Sequence, residues 1–335
     1  MKSFFLFLGL LCAMLAGTPE AQAAKRIKVA FTNFPEHPQG VAFAMFKKEL
    51  EARSNGAFKV DLIDSGKYGN PDSIVKGLQM NVLQIGAEST SNFSVFDPRL
   101  MLFDIPYLFP SYEAADLVLD GEVGKELGRG LEKNGCINLG YMEIGFRQIF
   151  STRPVATLEE GRGLKIRVTP SRMHIAIIKA LGMNPTPMAW GEVFTGLQQR
   201  TVEGIDVDIN LGWFWRFYEV TKHVTLSRHF YTPHMVLISK RFLSSLSPEE
   251  QQLIRDVMSE CIREQRKLSR QNEKRFLEKF QTEWGMTIHD LSPAERERWI
   301  EATSKVPDEF GDAVPPALLE QVREAFRQAG MDRKS

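Results

Sequence analysis

The amino-acid sequence predicts an α/β fold divided into two lobes with a cleft between them. Strand-like and helix-like segments alternate through the first half of the chain, which favours mainly parallel sheets. About 310 residues follow a predicted leader, and 43% of the chain is apolar, which is enough for two hydrophobic cores. One helical pattern near the C-terminus is long enough to lie across both lobes.

Residues 1–23 have the pattern of a cleavable secretory signal peptide. Lys2 precedes an apolar run that ends at Ala16, and Ala21-Gln22-Ala23 supplies the small residues of a cleavage site. The run is shorter than the roughly 20 apolar residues that span a bilayer. We therefore expect an exported, soluble protein. Cys136 and Cys261 remain after cleavage, and they either pair in an oxidising compartment or stay as separate buried thiols.

The first half of the chain reads as alternating elements. Residues 27–31, 58–62, 83–87 and 136–141 have the pattern of strands, and residues 43–50 and 73–81 have the pattern of helices. Ligands of such folds bind beyond the carboxyl ends of the strands. Glu88 and Arg167 lie at or near such ends.

Residues 164–168 alternate apolar and cationic side chains, and Arg167 stands just before a predicted helix start at residues 169–171. This arrangement predicts a carboxylate-binding site. A guanidinium group can hold a carboxylate through two parallel hydrogen bonds, and a helix N-terminus adds unpaired N–H groups. The alternatives are a solvated edge arginine or a structural ion pair.

Two further segments contain candidate ligand-binding residues. Residues 184–194 combine two prolines with Trp190 and predict a stiff loop before a helix; Trp190 either lines a pocket or packs in the core. Residues 202–208 alternate apolar and acidic side chains and predict a strand with Asp206 and Asp208 on one face. These carboxylates suit an ammonium or hydroxyl group, or they are solvated.

One long helix is predicted from Pro248 to about Trp284. Ser247-Pro248-Glu249-Glu250 provides a capped start. About 37 residues would extend roughly 55 Å. The polar middle, residues 264–275, is either a solvated stretch or a place where the helix bends.

Signatures of catalysis and of metal or phosphate binding are missing from the sequence. There is no Gly-x-Ser-x-Gly elbow and no glycine-rich phosphate loop, and the six histidines lack metal-ligand spacing. We therefore expect no catalytic residues, metal or cofactor. Lys plus Arg equals Asp plus Glu, at 42 each, which argues against nucleic acid as a partner. An exported hydrolase whose residues meet only in the fold is the alternative class.

Short motifs occur along nearly the whole mature chain: Ala87-Glu88-Ser89, Ile105-Pro106-Tyr107, residues 163–168, residues 185–193, Val202-Glu203-Gly204, Phe217-Tyr218-Glu219-Val220, Tyr231-Thr232-Pro233 and Leu246-Ser247-Pro248-Glu249. In order and spacing these motifs resemble the periplasmic substrate-binding proteins of tripartite ATP-independent periplasmic (TRAP) transporters.

The resemblance implies a two-lobed Venus-flytrap fold with hinge strands and a long helix that spans both lobes. Lobe I is expected over residues 24–145 with 233–270 returning to it, and lobe II over 146–232 with 271–330 returning to it. The implied function is capture of a small organic acid by a monomeric periplasmic protein. The acid is delivered unchanged to the small and large membrane subunits of a TRAP transporter. A ligand sensor that feeds a signalling receptor is an open alternative.

The resemblance also implies binding residues. Arg167 matches the arginine that grips the substrate carboxylate, and Arg147 matches a second arginine that assists it. The other matches are a polar pocket residue of sialic-acid-type members, two first-strand positions and an aromatic that lines the cleft: Glu88, Thr32, Asn33 and Trp190.

One departure bears on the ligand. Sialic-acid-type members resemble Gly-Gln-Glu-Asn-Pro where this chain has Gly204-Ile205-Asp206-Val207-Asp208. Val207 stands where those members have an asparagine that contacts the ligand, and both Val207 and Asp208 are kept as candidate ligand-binding residues. A valine side chain forms no hydrogen bond, which argues against sialic acid. Trp190 and the run Trp213-Phe214-Trp215 favour an aromatic or amino-acid-like carboxylate. A C4-dicarboxylate and a sugar acid are the alternatives.

Overall fold

The computed structural model describes residues 24–331, and the predicted signal peptide lies outside the described residues. Within them the strands are β1 (Lys25–Phe31), β2 (Phe58–Ile63), β3 (Ile85–Ser89), β4 (Cys136–Phe146), β5 (Gln148–Ser151), β6 (Lys165–Val168), β7 (Asn184–Pro187), β8 (Gly204–Val207), β9 (His223–Leu226), β10 (Tyr231–Ser239) and β11 (Thr287–Asp290).

The α-helices of the described chain are α1 (Pro38–Arg53), α2 (Pro71–Gln79), α3 (Thr90–Phe93), α4 (Tyr112–Asp120), α5 (Glu122–Gly128), α6 (Leu158–Gly161), α7 (Arg172–Ala180), α8 (Val193–Gln198), α9 (Ile209–Phe214), α10 (Lys240–Ser244), α11 (Pro248–Thr282), α12 (Pro293–Thr303) and α13 (Pro316–Gln328). Short 3₁₀ helices cover Pro98–Asp104, Arg129–Asn134, Trp190–Glu192, Phe217–Glu219 and Val306–Phe310. No helix within residues 24–331 is both long enough and apolar enough to span a membrane.

The strands form two sheets, each of which is the centre of one lobe. The first lobe contains a five-stranded sheet in the order β2-β1-β3-β10-β4, and the second contains a six-stranded sheet in the order β11-β9-β5-β8-β6-β7. In the first sheet only β10 runs against its neighbours, and in the second only β5 does. The predicted α/β class with mainly parallel sheets is confirmed.

The lobes are joined where the chain passes from one sheet to the other. Arg147 lies between β4 and β5, and residues 227–230 lie between β9 and β10. Helix α11 is continuous over 35 residues. It contacts α1 and β4 of the first lobe and α9 and β11 of the second. The expected long helix across both lobes is therefore present.

The polar middle of α11 is continuous helix, and only one of its faces is solvated. Its buried side chains are Gln265, Arg266, Ser269, Asn272 and Glu273, which face the region where the lobes meet. Because α11 passes the edge of the first sheet here, polar side chains satisfy backbone groups that would otherwise lack partners.

The predicted residue limits of the two lobes stay a prediction, and the contacts of one helix differ from them. Helix α12 contacts α6 and α7 of the second lobe, whereas α13 contacts α4 and α5 of the first. The ring of Phe326 on α13 lies 6.4 Å from the ring of Phe109. The final helix thus packs on the first lobe instead of returning to the second.

Two smaller expectations are resolved by the structure. Residues 184–187 form the edge strand β7 instead of a loop, which fits because an edge strand tolerates proline. Cys136 and Cys261 are buried, unpaired thiols, and burial raises the pKa of each to about 12. Of the two alternatives for the cysteines, the separate thiols are correct.

Candidate functional site

A cavity of about 440 Å³ lies between the two lobes and is called the interlobe cavity here. Both lobes and the hinge contribute to it, and its polar and aromatic lining includes Thr32, Asn33, Ser65, Asn70, Glu88, Ser89, Asn92, Arg147, Arg167, Thr169, Trp190, Trp215, Thr232 and His234. Most of these residues end or follow strands β1, β3, β6 and β7, because the carboxyl ends of parallel strands meet along one edge of a sheet.

Six of the eight predicted site residues meet at this cavity: Thr32, Asn33, Glu88, Arg147, Arg167 and Trp190. Val207 and Asp208 do not line it. Contact of any of the eight with a ligand remains a prediction.

Arg167 is 2% exposed and holds a fixed orientation. Its Nε and Nη2 atoms donate hydrogen bonds to the carbonyl oxygen of Met188 at 3.1 and 2.9 Å, and its guanidinium carbon lies 5.1 Å from the centre of the Trp190 ring. Nη1 is buried without a hydrogen-bond partner. Burial lowers the pKa of Arg167 to about 9, so an anion beside Nη1 would offset a real desolvation cost.

Arg147 is also buried, and it faces a carboxylate. Its Nε atom lies 3.4 Å from Oδ2 of Asp206, and Nη2 donates to Oγ1 of Thr169 at 3.4 Å. His229 lies behind this pair, with Nε2 at 3.9 Å from Oδ2 of Asp206. Burial acts to raise the pKa of Asp206, but Arg147 and His229 outweigh it and hold that pKa well below its usual range. Asp206 is therefore the fixed anion behind the two arginines.

Glu88 is the carboxylate that the first lobe contributes. It accepts hydrogen bonds from Oγ1 of Thr32 at 2.9 Å, from Nδ2 of Asn92 at 3.1 Å and from the backbone N–H of Ser89 at 2.7 Å. Burial raises the pKa of Glu88, and the three hydrogen bonds oppose that rise. Since every partner is a donor, the side chain is held as an oriented acceptor.

A series of hydrogen-bonded side chains leads from Asn33 through Gln39 to His234, which lies beside Glu88. Asn33 donates from Nδ2 to Oε1 of Gln39 at 2.9 Å, and Nε2 of Gln39 lies 2.8 Å from Nδ1 of His234. The other ring nitrogen of His234 is 4.0 Å from Oε1 of Glu88. Burial lowers the pKa of His234 to about 3, so this ring is neutral at pH 7.

The two walls of the interlobe cavity differ in charge. The hinge and the second lobe contribute Arg147 and Arg167 against the single charge of Asp206, which leaves one positive charge in excess. The first lobe contributes Glu88 with hydroxyl and amide groups and no cation. Among residues 24–331 no group of three or more His, Cys, Asp or Glu side chains is arranged to hold a metal ion.

The family model for DctP, the bacterial extracellular solute-binding proteins of family 7, matches residues 30–312. The chain belongs to this family. The resemblance to TRAP substrate-binding proteins is thereby confirmed, as is the function class of a solute-binding protein.

Named relatives of this solute-binding protein bind sugar acids and dicarboxylates. The chain is 32% identical over 318 residues to the 2,3-diketo-L-gulonate-binding periplasmic protein of Escherichia coli, covering 94% of this chain and 96% of that one. The sugar acid binding protein DctPAm of Advenella mimigardefordensis, solved with galactonate, has a TM-score of 0.87 at 31% identity and covers 91% and 99%. A TRAP periplasmic solute-binding protein of Shewanella oneidensis with bound succinate has a TM-score of 0.86 at 28% identity and covers 90% and 99%.

In this solute-binding protein the carboxylate of strand β8 that reaches Arg147 is Asp206. Val207 is fully buried in the core of the second lobe. Asp208 is the N-cap of α9, where its Oδ1 accepts from the backbone N–H of Leu211 at 3.0 Å. The apolar and acidic alternation of residues 202–208 contained the signal for Asp206, because a strand sends alternate side chains to opposite faces. Neither aspartate is solvated.

The aromatic run 213–215 contributes only one ring to the interlobe cavity. The Trp213 ring stacks on Phe276 of α11 at 4.6 Å, and Phe214 lies 5.5 Å from the same ring. Trp215 lines the cavity and its ring is 5.2 Å from that of Trp190. Trp213 and Phe214 therefore pack in the second lobe, which removes most of the basis for an aromatic ligand.

Several lining residues were not among the eight predicted site residues. Thr169, Trp215, Thr232, His234 and Asn92 reach the cavity from four different segments, with Thr232 and His234 both on β10. His234 follows Pro233 on β10, a strand with no charged or periodic feature that marks it. Only the pairing of β10 with β3 brings it beside Glu88.

Proposed function

We propose that this solute-binding protein binds a sugar acid with a single carboxylate. The observation that carries the proposal is the unequal distribution of charge: Arg167 keeps a buried, unpartnered Nη1 at one wall, and Glu88 stands as an oriented acceptor at the other. A carboxylate at the arginines would be matched by hydroxyl groups that donate to Glu88. The sugar acids in the names of two relatives support this class.

A dicarboxylate fits the interlobe cavity less well. The second carboxylate would approach Glu88, and like charges a few ångströms apart in a site of low dielectric repel strongly. An aromatic acid would stack on Trp190 or Trp215 but would leave the donors and acceptors of the first lobe without partners. Both classes are therefore expected to bind more weakly than a sugar acid.

We further propose that the protein is a periplasmic monomer, released by cleavage after Ala23, that delivers its ligand unchanged to the two membrane subunits of a TRAP transporter. The family and the TRAP proteins among the similar structures support this role. Recovery of the bound acid without chemical change would argue against a hydrolase. Loss of uptake on deletion of either membrane subunit would distinguish transport from sensing.

The test of the ligand class is calorimetry and thermal unfolding of residues 24–335 with D-galactonate, L-gulonate, succinate and phenylacetate. Ligand at about 100 times its Kd should stabilise the protein by about 2.7 kcal/mol. We expect the sugar acids to bind most tightly. Succinate or phenylacetate binding more tightly than either sugar acid would contradict the proposal.

The variant Glu88→Gln tests whether Glu88 selects sugar acids over dicarboxylates. It keeps the shape of the side chain but removes the charge, so sugar-acid binding should weaken by about 1.5–3 kcal/mol, the value of a hydrogen bond to a charged group. The affinity for succinate should fall by less, or should rise. Glu36→Gln, at an exposed position of the same lobe, is the control and should change neither affinity. Equal losses for both ligand classes would show that Glu88 does not select between them.

A further inference from the structure

The hinge separates two cavities. The interlobe cavity lies on one face of the hinge, and a groove of about 840 Å³, called the rear groove here, lies on the other. The first lobe lines the rear groove with side chains from residues 107–113. The second lobe lines it with side chains from residues 226–228 and 290–300, and Phe146 lies between them.

Neighbouring residues of the hinge strands belong to opposite cavities. Phe146 lines the rear groove, whereas Arg147, the next residue, lines the interlobe cavity. On the partner strand Tyr231 pairs with Phe146, with ring centres 5.3 Å apart, and Thr232 lines the interlobe cavity. Because successive strand residues face opposite sides, the same short hinge segments form the floor of both spaces, with different residues toward each.

Because of this geometry, the rear groove must narrow when the interlobe cavity widens, and the reverse. A rotation of the lobes about these strands that opens the interlobe cavity must bring residues 107–113 toward residues 290–300, and so narrow the rear groove. The rings of Phe34 in the first lobe and Trp215 in the second lie 4.7 Å apart across the mouth of the interlobe cavity, so the lobes are closed around it. The rear groove is therefore described here in its wide state.

We propose that the rear groove sets the equilibrium between open and closed lobes. A side chain that fills it fits the closed form and obstructs only the open form. Filling the groove therefore raises the closed fraction of the ligand-free protein. Since the apparent Kd equals the intrinsic Kd divided by the fraction of competent protein, ligand binding tightens without any new contact to the ligand. The affinity effect rests on the proposed function; the effect on the lobes does not.

Two exposed glutamates on opposite walls allow the test. Glu297 on α12 and Glu113 on α4 both line the rear groove, so Glu297→Trp and Glu113→Trp add bulk from the second and the first lobe respectively. Glu301 is exposed on the same helix as Glu297 but does not line the groove. Glu301→Trp is the matched control, with the same change of charge and volume.

The first measurement is small-angle X-ray scattering of the ligand-free variants, with thermal unfolding to establish that each is folded. Both groove variants should be more compact than the native protein and than Glu301→Trp. The second measurement is dissociation of D-galactonate, which should slow severalfold, up to about tenfold, in the groove variants alone.

Scattering profiles of both folded groove variants that match the native protein would overturn the proposal. So would an equal change in Glu301→Trp. If D-galactonate binds to none of the proteins, the ligand class is wrong, yet the ligand-free scattering still decides whether the rear groove controls the lobes.

Discussion

Arg167 illustrates how a buried charge prepares a site for an anion. Its guanidinium group is held by one carbonyl oxygen and one aromatic face, and neither carries a full negative charge. Within residues 24–331 no carboxylate forms an ion pair with it, since Asp206 pairs with Arg147 instead. The cost of burying the cation is therefore only partly offset within the protein, by the nearby charge of Asp206, and a ligand carboxylate would offset the rest.

We predict that Arg167→Ala weakens sugar-acid binding by about 2–5 kcal/mol, since a buried carboxylate would lose its charged partner. Arg167→Lys should also weaken binding, because an ammonium group cannot reproduce the planar fork that both holds Met188 and reaches the ligand. Calorimetry with D-galactonate provides the measurement. Lys165→Ala, at an exposed position two residues away on the same strand, is the control. An unchanged Kd in Arg167→Ala would show that the carboxylate binds elsewhere.

The two aspartates of residues 204–208 should respond to pH in opposite ways. Burial raises the pKa of Asp208 to about 7, with hydrogen bonding to Leu211 and the charge of Arg147 opposing the rise. The folded protein therefore holds a proton that the unfolded chain releases near pH 4, so the stability from Asp208 is lost as pH rises from about 4 to about 7. The pKa of Asp206 is instead held low, so its contribution is present throughout that range.

The expected outcome is a stability gain of Asp208→Asn over the native protein that grows with pH between about 4 and 7, by at most about 1.4 kcal/mol per pH unit. Asparagine retains the cap on α9, so the helix start is preserved. Urea unfolding at several pH values measures the gain. Asp206→Asn should be destabilised by an amount that is constant above about pH 5. A gain for Asp208→Asn that does not vary with pH would mean that Asp208 is ionised throughout.

At the scale of elements, α11 closes an open edge of the first sheet. Strand β4 is the last strand of that sheet, and its outward backbone groups bond to helix side chains. Gln265 accepts from the N–H of Glu143 and donates to its carbonyl oxygen, both at 2.7 Å. Arg266 donates to the carbonyl oxygen of Tyr141. A helix covering an edge in this way both satisfies the backbone and prevents pairing with another chain.

Ion pairs extend this contact around the hinge. Arg270 donates to Glu143 at 2.8 Å and to Asp116 at 2.7 Å, and the hydroxyl group of Tyr112 donates to Glu273. Burial raises the pKa of Glu143 to about 7 despite its bond to Arg270. The polar middle of α11 is therefore a specific docking surface for β4 and α4 and not a break in an amphipathic pattern.

Gln265→Ala should lower the free energy of unfolding by at least about 2 kcal/mol, because it leaves two buried backbone groups without partners and each costs about 1–3 kcal/mol. Gln271→Ala, an exposed substitution on the same helix, should change the free energy of unfolding by less than about 0.5 kcal/mol. Urea denaturation compares the two variants. Equal, small effects would indicate that water replaces the amide, and that the helix does not seal the edge.

For the whole molecule, function follows from having two lobes with a shared set of hinge strands. The arginines belong to the hinge and second lobe and Glu88 to the first, so a ligand bound as proposed would contact all of them only when the lobes are closed. Differential contact of this kind is what allows a ligand to shift an equilibrium between conformations. Under the proposal above, the same rotation of the lobes also changes the width of the rear groove. Ligand affinity therefore depends on residues on both sides of the hinge.

The sequence alone determined the fold class, several of the elements and most of the candidate site residues. Alternating apolar patterns predicted the strands β1 to β3, the capped helix α11 and the α/β class, because periodicity of 2 or 3.6 reports directly which face of an element is buried. The same local logic marked Arg167 at a strand end. Order and spacing of motifs identified the family and brought in Arg147, Glu88, Thr32, Asn33 and Trp190.

The tertiary structure alone decided which side chains of each element face the interlobe cavity. Val207 and Asp208 were predicted for the site, but the pairing of β8 with β5 and β6 directs Asp206 to Arg147 instead. The same pairing buries Val207 in the core and leaves Asp208 to cap α9. His234 reaches Glu88, and Gln265 reaches β4, through contacts between residues far apart in the chain. Such contacts depend on strand register and helix packing, which a local pattern does not encode.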